Sequence, residues 1–324
     1  MHMTDEPKLD RIAKYLARAG VASRRDSEKL VAEGRIKVNG KVIDTPATKV
    51  GPADKVEFDG KAVAGKELTR LWRYYKPDGL VTSHKDEKNR QTVFDVLPKE
   101  MGRVISVGRL DITSEGLLLL TNDGELARHL EHPSTGLSRR YRTRAYGHIT
   151  QTELDTLKDG IKIDGIMTGP IEAVLDSASG DNCWITVTLR EGKNREVRRA
   201  MEHLGLKVNR LIRVSYGPFM LGDIPKGKVE EVKYKVLQTQ LGHLMDFPEP
   251  IEKKQKGPKR GSHGSAKRFQ KTPAIKSGSK AKPAPQGRGK NAKPKRKPRV
   301  GAAGKPGGKY QGKFSPRGQG KGKT

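Results

Sequence analysis

Residues 253–324 contain 24 Lys or Arg, 14 Gly and 8 Pro but no Asp or Glu, so compact structure must be sought in what precedes them. Gly and Pro together exceed the roughly 25–30 per cent that marks low complexity without a collagen period. With Phe269, Tyr310 and Phe314 as its only aromatic residues, the segment has too little apolar surface to offset its ordering entropy, and residues 252–324 are expected to be a disordered tail. Of the formal charge of +29, residues 253–324 carry +24, which leaves +5 for residues 1–252. Cations spaced by Gly and Pro, as in Lys293-Pro294-Lys295-Arg296-Lys297-Pro298-Arg299, suit phosphate neutralisation by counterion release. A solubilising tail is the plainer alternative, though acidic residues would serve that purpose at least as well.

The lone Cys183 excludes an internal disulfide and fits a reducing compartment. No charged-then-apolar signal opens the chain, and the longest purely aliphatic run, Leu117 to Leu120, is far too short to span a bilayer. A soluble, cytoplasmic protein with no membrane partner is expected.

Residues 9–62 form a first unit. Ile12, Ala13, Leu16 and Ala19 recur at helical spacing and stop near Gly20. Ser23 opens a second helix, with Asp26 three residues on in the manner of a capping box and Leu30 and Val31 on its inner face. Ile36, Val38, Val42 and Ile43 alternate around Asn39-Gly40, a two-residue hairpin signal, and Val56 and Phe58 suggest a further strand. The cations along these elements could simply be a solvated face. Arg24 and Arg25, however, sit at a helix N-terminus, where the macrodipole disfavours cations unless phosphates lie opposite. The pattern Arg11-Ile12-x-x-x-Leu16, Ala19 to Arg25 and Val38-Asn39-Gly40 resembles the αL RNA-binding domain, a small module that binds structured RNA and does no chemistry.

Residues 62–69 read as a linker, and residues 69–245 as an α+β domain with a mainly antiparallel mixed sheet. Strands are predicted near 71–75, 117–121, 139–147, 170–176, 183–190 and 206–215. Helices are predicted at 124–131, 150–159 and 194–204. Within this domain Gly108-Arg109-Leu110-Asp111 mounts a carboxylate beside an arginine in a glycine-bounded turn, just before the apolar strand. Taken alone, Asp111 could be an ordinary turn aspartate. A second constellation, Glu191-Gly192-Lys193-Asn194-Arg195-Glu196-Val197-Arg198-Arg199, concentrates four cations between a strand and a helix, so that one of them is expected to face inward.

Together with Tyr75-Lys76-Pro77-x-Gly79, the Gly116 to Gly124 run, His132-Pro133 and Arg140-Tyr141, these segments resemble the RsuA/RluB branch of the pseudouridine synthases, which modifies ribosomal RNA. The likeness extends from about Trp72 to Gln240, and the αL module is also what this branch carries. It implies isomerisation of uridine to pseudouridine, with no cofactor and no metal. Asp111 becomes the catalytic aspartate, Tyr141 the base-stacking tyrosine, Arg198 the arginine that pairs with the aspartate, and Arg109 a holder of the extruded nucleotide. Lys76, Lys193, Arg195, Arg199, Arg24 and Arg25 are expected to contact RNA. Leu211 would wall the base pocket or be plain core. Tyr75, Arg140 and Glu196 depart from residues common in the family, and Glu196 requires Lys193 or Arg199 as a partner.

The expected partner is ribosomal RNA or a pre-ribosomal particle, met by a monomer. Similarity across Val214 to Phe219 and Val232-Lys233-Tyr234 favours a large-subunit target. Two rival readings stand beside this one: a ribosome-assembly factor that binds RNA without catalysis, and a glycoside hydrolase using Asp111 and Glu115.

Overall fold

The computed structural model describes residues 9–65 and 67–248; the basic tail, with its expected disorder, lies outside the described residues. The first unit runs β1 (Asp10–Arg11), α1 (Ile12–Arg18), α2 (Arg24–Ala32), β2 (Ile36–Val38), β3 (Lys41–Val42), β4 (Lys49–Val50), β5 (Val56–Phe58) and β6 (Lys61–Ala62). Ser23 caps α2 by accepting the Asp26 amide at 3.1 Å, and Asn39-Gly40 makes the β2–β3 turn. A sheet in the order β3-β2-β5-β6 closes over Ile12, Leu16, Val31, Ile36, Val50 and Val56, all buried.

The second unit runs β7 (Leu71–Lys76), α3 (Val93–Val96), β8 (Ile105–Val107), β9 (Glu115–Thr121), α4 (Gly124–Glu131), β10 (Arg139–Tyr146), α5 (Gln151–Asp155) and the short hairpin β11 (Lys162–Ile163) and β12 (Ile166–Met167). It continues with β13 (Ile171–Ser179), β14 (Asn182–Leu189), α6 (Glu196–His203), β15 (Lys207–Tyr216), β16 (Phe219–Met220), β17 (Val229–Glu231) and α7 (Tyr234–Leu241). The main sheet has the order β13-β14-β10-β15-β9-β7-β17. Along it every pairing is antiparallel except β9 with β15, so the expected mainly antiparallel mixed sheet is what forms.

That parallel junction explains the apolar run. Both faces of β9 are covered, and the two-residue period of a strand sends Leu117 and Leu119 into one cluster with α4 and α7, and Leu118 and Leu120 into another with Trp72, Leu80 and Val93. Each of these four leucines is fully buried and contributes about 1.5–3 kcal/mol. The helix expected at 150–159 is cut short after Asp155, where Leu157 and Lys158 donate to carbonyls three residues back and tighten the turn. Among the described residues, no helix is long and apolar enough to cross a membrane.

The two units are bolted together through Asp123. Arg18, 7% exposed, reaches from α1 to the Asp123 carboxylate, 1% exposed, at 2.5 Å. The same carboxylate accepts from Thr69 Oγ1 and caps α4 through the Glu125 amide. Lys14 and the second Arg18 nitrogen hold Glu125. The Asp123 carboxylate that caps α4 therefore also fixes the first unit against the second.

Candidate active site

Asp111 stands on a turn held by backbone contacts from two directions. Lys76, at the end of β7, is fully buried, and its Nζ donates to the carbonyls of Pro77, Asp111 and Ser114 at 3.0, 3.1 and 2.9 Å. The Gly79 amide donates to Ile112 O at 2.7 Å, and Thr82 Oγ1 donates to Leu110 O at 2.8 Å. Three carbonyls match the three N–H groups of an ammonium. Burial nevertheless lowers the Lys76 pKa to about 8, against attraction from Asp78 and Asp111. Lys76 was expected to contact RNA; that reading is corrected, because its amino group is consumed in shaping the Asp111 turn and is closed to solvent.

The half-buried Asp111 lines a cleft of about 740 Å³ together with Arg109, Tyr141, Leu211, Lys193 and Arg195. Tyr141 is half-buried on β10 and packs against both core clusters that meet at the cleft. Leu211, 5% exposed on β15, is at once core and cleft wall, so both of its expected descriptions hold. Arg109 and Arg195 are exposed at the cleft and make no ion pair among the described residues. Arg195 adopts a left-handed conformation, φ 49°, as the residue before α6, a strained backbone of the kind that collects at working sites.

Arg198 is the inward-facing cation of its cluster, 7% exposed, but its partners differ from expectation. Nη2 donates to Thr113 O at 2.9 Å and Nη1 to Val208 O at 3.2 Å, while Nε is buried without a partner. Among the described residues no cation lies within 4 Å of the Asp111 carboxylate, so the direct pair gives way to a brace on the turn two residues further on. Burial and Arg195 push the Arg198 guanidinium down, and the nearby Asp111 charge opposes them.

Arg199 is also placed elsewhere. It bonds Asp164 and Ile163 O, pinning the β11–β12 hairpin to α6, and does not line the cleft. Lys193 does line it, with its amine shared between Glu191 at 2.7 Å and Met167 O. Glu196 pairs with neither expected side chain. Its Oε2 accepts the Lys193 backbone amide at 3.0 Å, Oε1 is buried without a partner, and burial pushes its carboxyl up. Arg24 and Arg25 are exposed at the start of α2.

Glu115 does not line the cleft, which removes it as a second catalytic carboxylate. It bonds Arg210 and lies 3.2 Å from Lys226. Although burial would raise it, these cations hold the Glu115 carboxyl below its ordinary value. A depressed carboxylate contributes stability above the unfolded value of 4.5 and loses it as pH falls through the folded value. Glu115→Gln is therefore expected to be about 1–2 kcal/mol less stable than wild type at pH 7, discounted for the exposed partners, with the gap closing in acid. Urea titrations of both proteins at pH 7 and pH 3.5 check it; a gap that is the same at both values contradicts the assignment.

Sequence reasoning missed Arg139, Arg213 and Tyr216 in the cleft lining. Strand period could have found the two arginines, since Arg139 lies two residues before Tyr141 and Arg213 two after Leu211. Tyr216 donates to Leu130 O at 2.9 Å and accepts from Arg139 at 2.8 Å.

Comparison with known proteins gives a consistent result. A family profile described as RNA pseudouridylate synthase matches residues 70–203, and the S4 domain profile matches residues 10–56. A protein of Rickettsia felis described as an uncharacterized RNA pseudouridine synthase is 47% identical over 230 residues, covering 71% of this chain and 100% of its own. The ribosomal large subunit pseudouridine synthase B of Haemophilus influenzae is 39% identical over 260 residues, covering 78% of this chain and 72% of its own. A crystal structure of a pseudouridylate synthase has the same fold, with a TM-score of 0.51 at 23% identity over 70% of this chain and 98% of that one.

Proposed function

This chain belongs to the RNA pseudouridine synthases, and on that footing we propose that it modifies large-subunit ribosomal RNA with Asp111 as its nucleophile or base. Isomerisation of uridine to pseudouridine in RNA is the activity of the family, and the S4 module adds an RNA-binding surface. The finer target is supported by the resemblance to large-subunit enzymes at 39–40% identity.

The observation that carries the assignment of Asp111 is its placement, on a turn fixed by Lys76, Gly79 and Thr82 and at a cleft shared with Tyr141 and Leu211. A uridine must leave its stack to enter, at a cost of a few kcal/mol. Stacking on Tyr141, worth roughly 1–3 kcal/mol, offsets much of this. The carboxylate then meets the sugar as nucleophile or base, the bond from N1 to C1′ breaks with its electron pair passing to the base, and the turned base rejoins C1′ through C5. The proton on C5 leaves and one returns to N1, so no atom is gained or lost and no cofactor is required. Arg109 and Arg195 are placed to meet flanking phosphates at the cleft mouth, and Arg198 keeps the turn in position. Arg24 and Arg25 are assigned to RNA at the S4 module.

Mapping pseudouridine in both ribosomal RNAs from cells with and without the gene tests this reading. Loss of one or a few sites in the large-subunit RNA is the expected result. Loss confined to small-subunit or transfer RNA would overturn the target.

A further inference from the structure

One buried cation in the cleft has no role in the mechanism described so far. Arg213 is 3% exposed yet lines the cleft with Asp111 and Leu211. Its Nε donates to Leu117 O at 2.8 Å, its Nη2 is buried with no hydrogen-bond partner, and its guanidinium lies 5.2 Å from the centre of the Tyr216 ring. No carboxylate lies within 4 Å of it among the described residues. A buried charge without a counter-charge is costly, and so is a buried donor without an acceptor. A site that retains both is prepared for an anion that arrives later.

The sheet register says where that anion forms. Tyr141 and Arg213 are direct cross-strand partners on β10 and β15, and Leu211 precedes Arg213 by two residues. All three therefore present side chains to the same face of the sheet. A base stacked on Tyr141 against Leu211 would lie over Arg213. Arg109 and Arg195, assigned above to flanking phosphates, are exposed, whereas Arg213 is buried beneath the reach of an RNA backbone.

Resting on the site reading above, we propose that Arg213 is a catalytic residue that donates to a carbonyl oxygen of the extruded uracil and stabilises the base as an anion. When the N1–C1′ bond breaks, its electron pair goes to the base and the negative charge spreads onto the carbonyl oxygens; C1′ is taken by the Asp111 carboxylate or loses a neighbouring proton to it. The charge on the base persists while it turns and disappears when C5 bonds to C1′. Arg213 thus acts in the interval between the two glycosidic bonds. Tyr216, itself bonded to Arg139 and Leu130 O, keeps the guanidinium on the cleft floor.

The test uses the full chain and host ribosomal RNA transcripts made with uridine or with 5-fluorouridine, whose fluorine makes the departing base a more stable anion. Single-turnover consumption of the target nucleoside is followed for wild type, Arg213→Gln and Arg213→Lys. On uridine the glutamine variant is expected to lose about 10²–10³ in rate, with little change in RNA concentration dependence. On 5-fluorouridine its loss should be at least about tenfold smaller, because a base that carries its own charge needs less help. If the glutamine variant does not fold, the lysine variant is read in the same way, with a smaller difference of the same sign expected. Equal losses on the two substrates, or a loss seen only in RNA binding, would overturn the role of Arg213 alone. A wild-type protein that forms no pseudouridine in the uridine transcript would overturn the site reading beneath it.

Discussion

Asp111→Ala is expected to fold, to bind ribosomal RNA with unchanged affinity and to form no measurable pseudouridine. Folding should survive because what the turn requires of residue 111 is its carbonyl: Lys76 Nζ and the Ser114 amide both bond Asp111 O, and the carboxylate accepts no hydrogen bond among the described residues. Binding should survive because none of the cations assigned to RNA contact lies within 4 Å of the Asp111 carboxylate among the described residues. The chemical step should fall by at least about 10³-fold, the scale on which loss of a nucleophile or general base is felt. Pseudouridine mapping in a deletion strain carrying either wild type or Asp111→Ala measures the activity, and a filter-binding titration measures the affinity. Restoration of the modified site by the alanine variant would end the assignment.

Gly116→Ala is expected to be among the most damaging small substitutions at the described residues. Gly116 has φ 104°, a conformation that L side chains rarely adopt. It also lies opposite Arg213 in the parallel β9–β15 pair, where an added Cβ would fall 2.7 Å from the Arg213 nitrogen and closer still to its carbonyl oxygen. Backbone on both sides leaves nothing flexible to yield, so the two strands must separate, and with them the turn bearing Asp111 and the strand bearing Leu211 and Arg213. A loss of more than about 4 kcal/mol follows, in the range reached only by disruption of packing or strained backbone. Gly79→Ala serves as the comparison: its φ is 86° but an added Cβ meets nothing within 4 Å. That substitution should cost about 1–2 kcal/mol, the conformational penalty alone. Urea denaturation of the two variants separates clash from strain, and equal losses would remove the argument from close approach.

The motifs that made the site legible did so because the fold brings them together through backbone contacts. Lys76-Pro77-x-Gly79 and Gly108-Arg109-Leu110-Asp111 are adjacent in space because the first supplies an ammonium to the carbonyl of Asp111 and an amide to that of Ile112, the residue that follows. That is a relation between a side chain and a backbone, and sequence offers no direct signal for it. Lys76 therefore looked like one more cation for RNA. The sequence likewise gives no signal that the Asp123 carboxylate is the partner of Arg18 across 105 residues of chain.

Sequence by itself determined the order of units, the two-residue period that sorts strand side chains between faces, and the presence of a candidate aspartate and tyrosine in one domain. These follow from local properties, since apolar spacing, turn residues and charge act over a few residues of chain. Only the tertiary structure decided which cations are buried and what each one touches: Lys76 and Arg198 brace the Asp111 turn, Arg199 holds a hairpin, and Arg213 lies unpaired beside Tyr141. The environment of a charge depends on desolvation and on partners from distant strands, and neither exists until the sheet has formed.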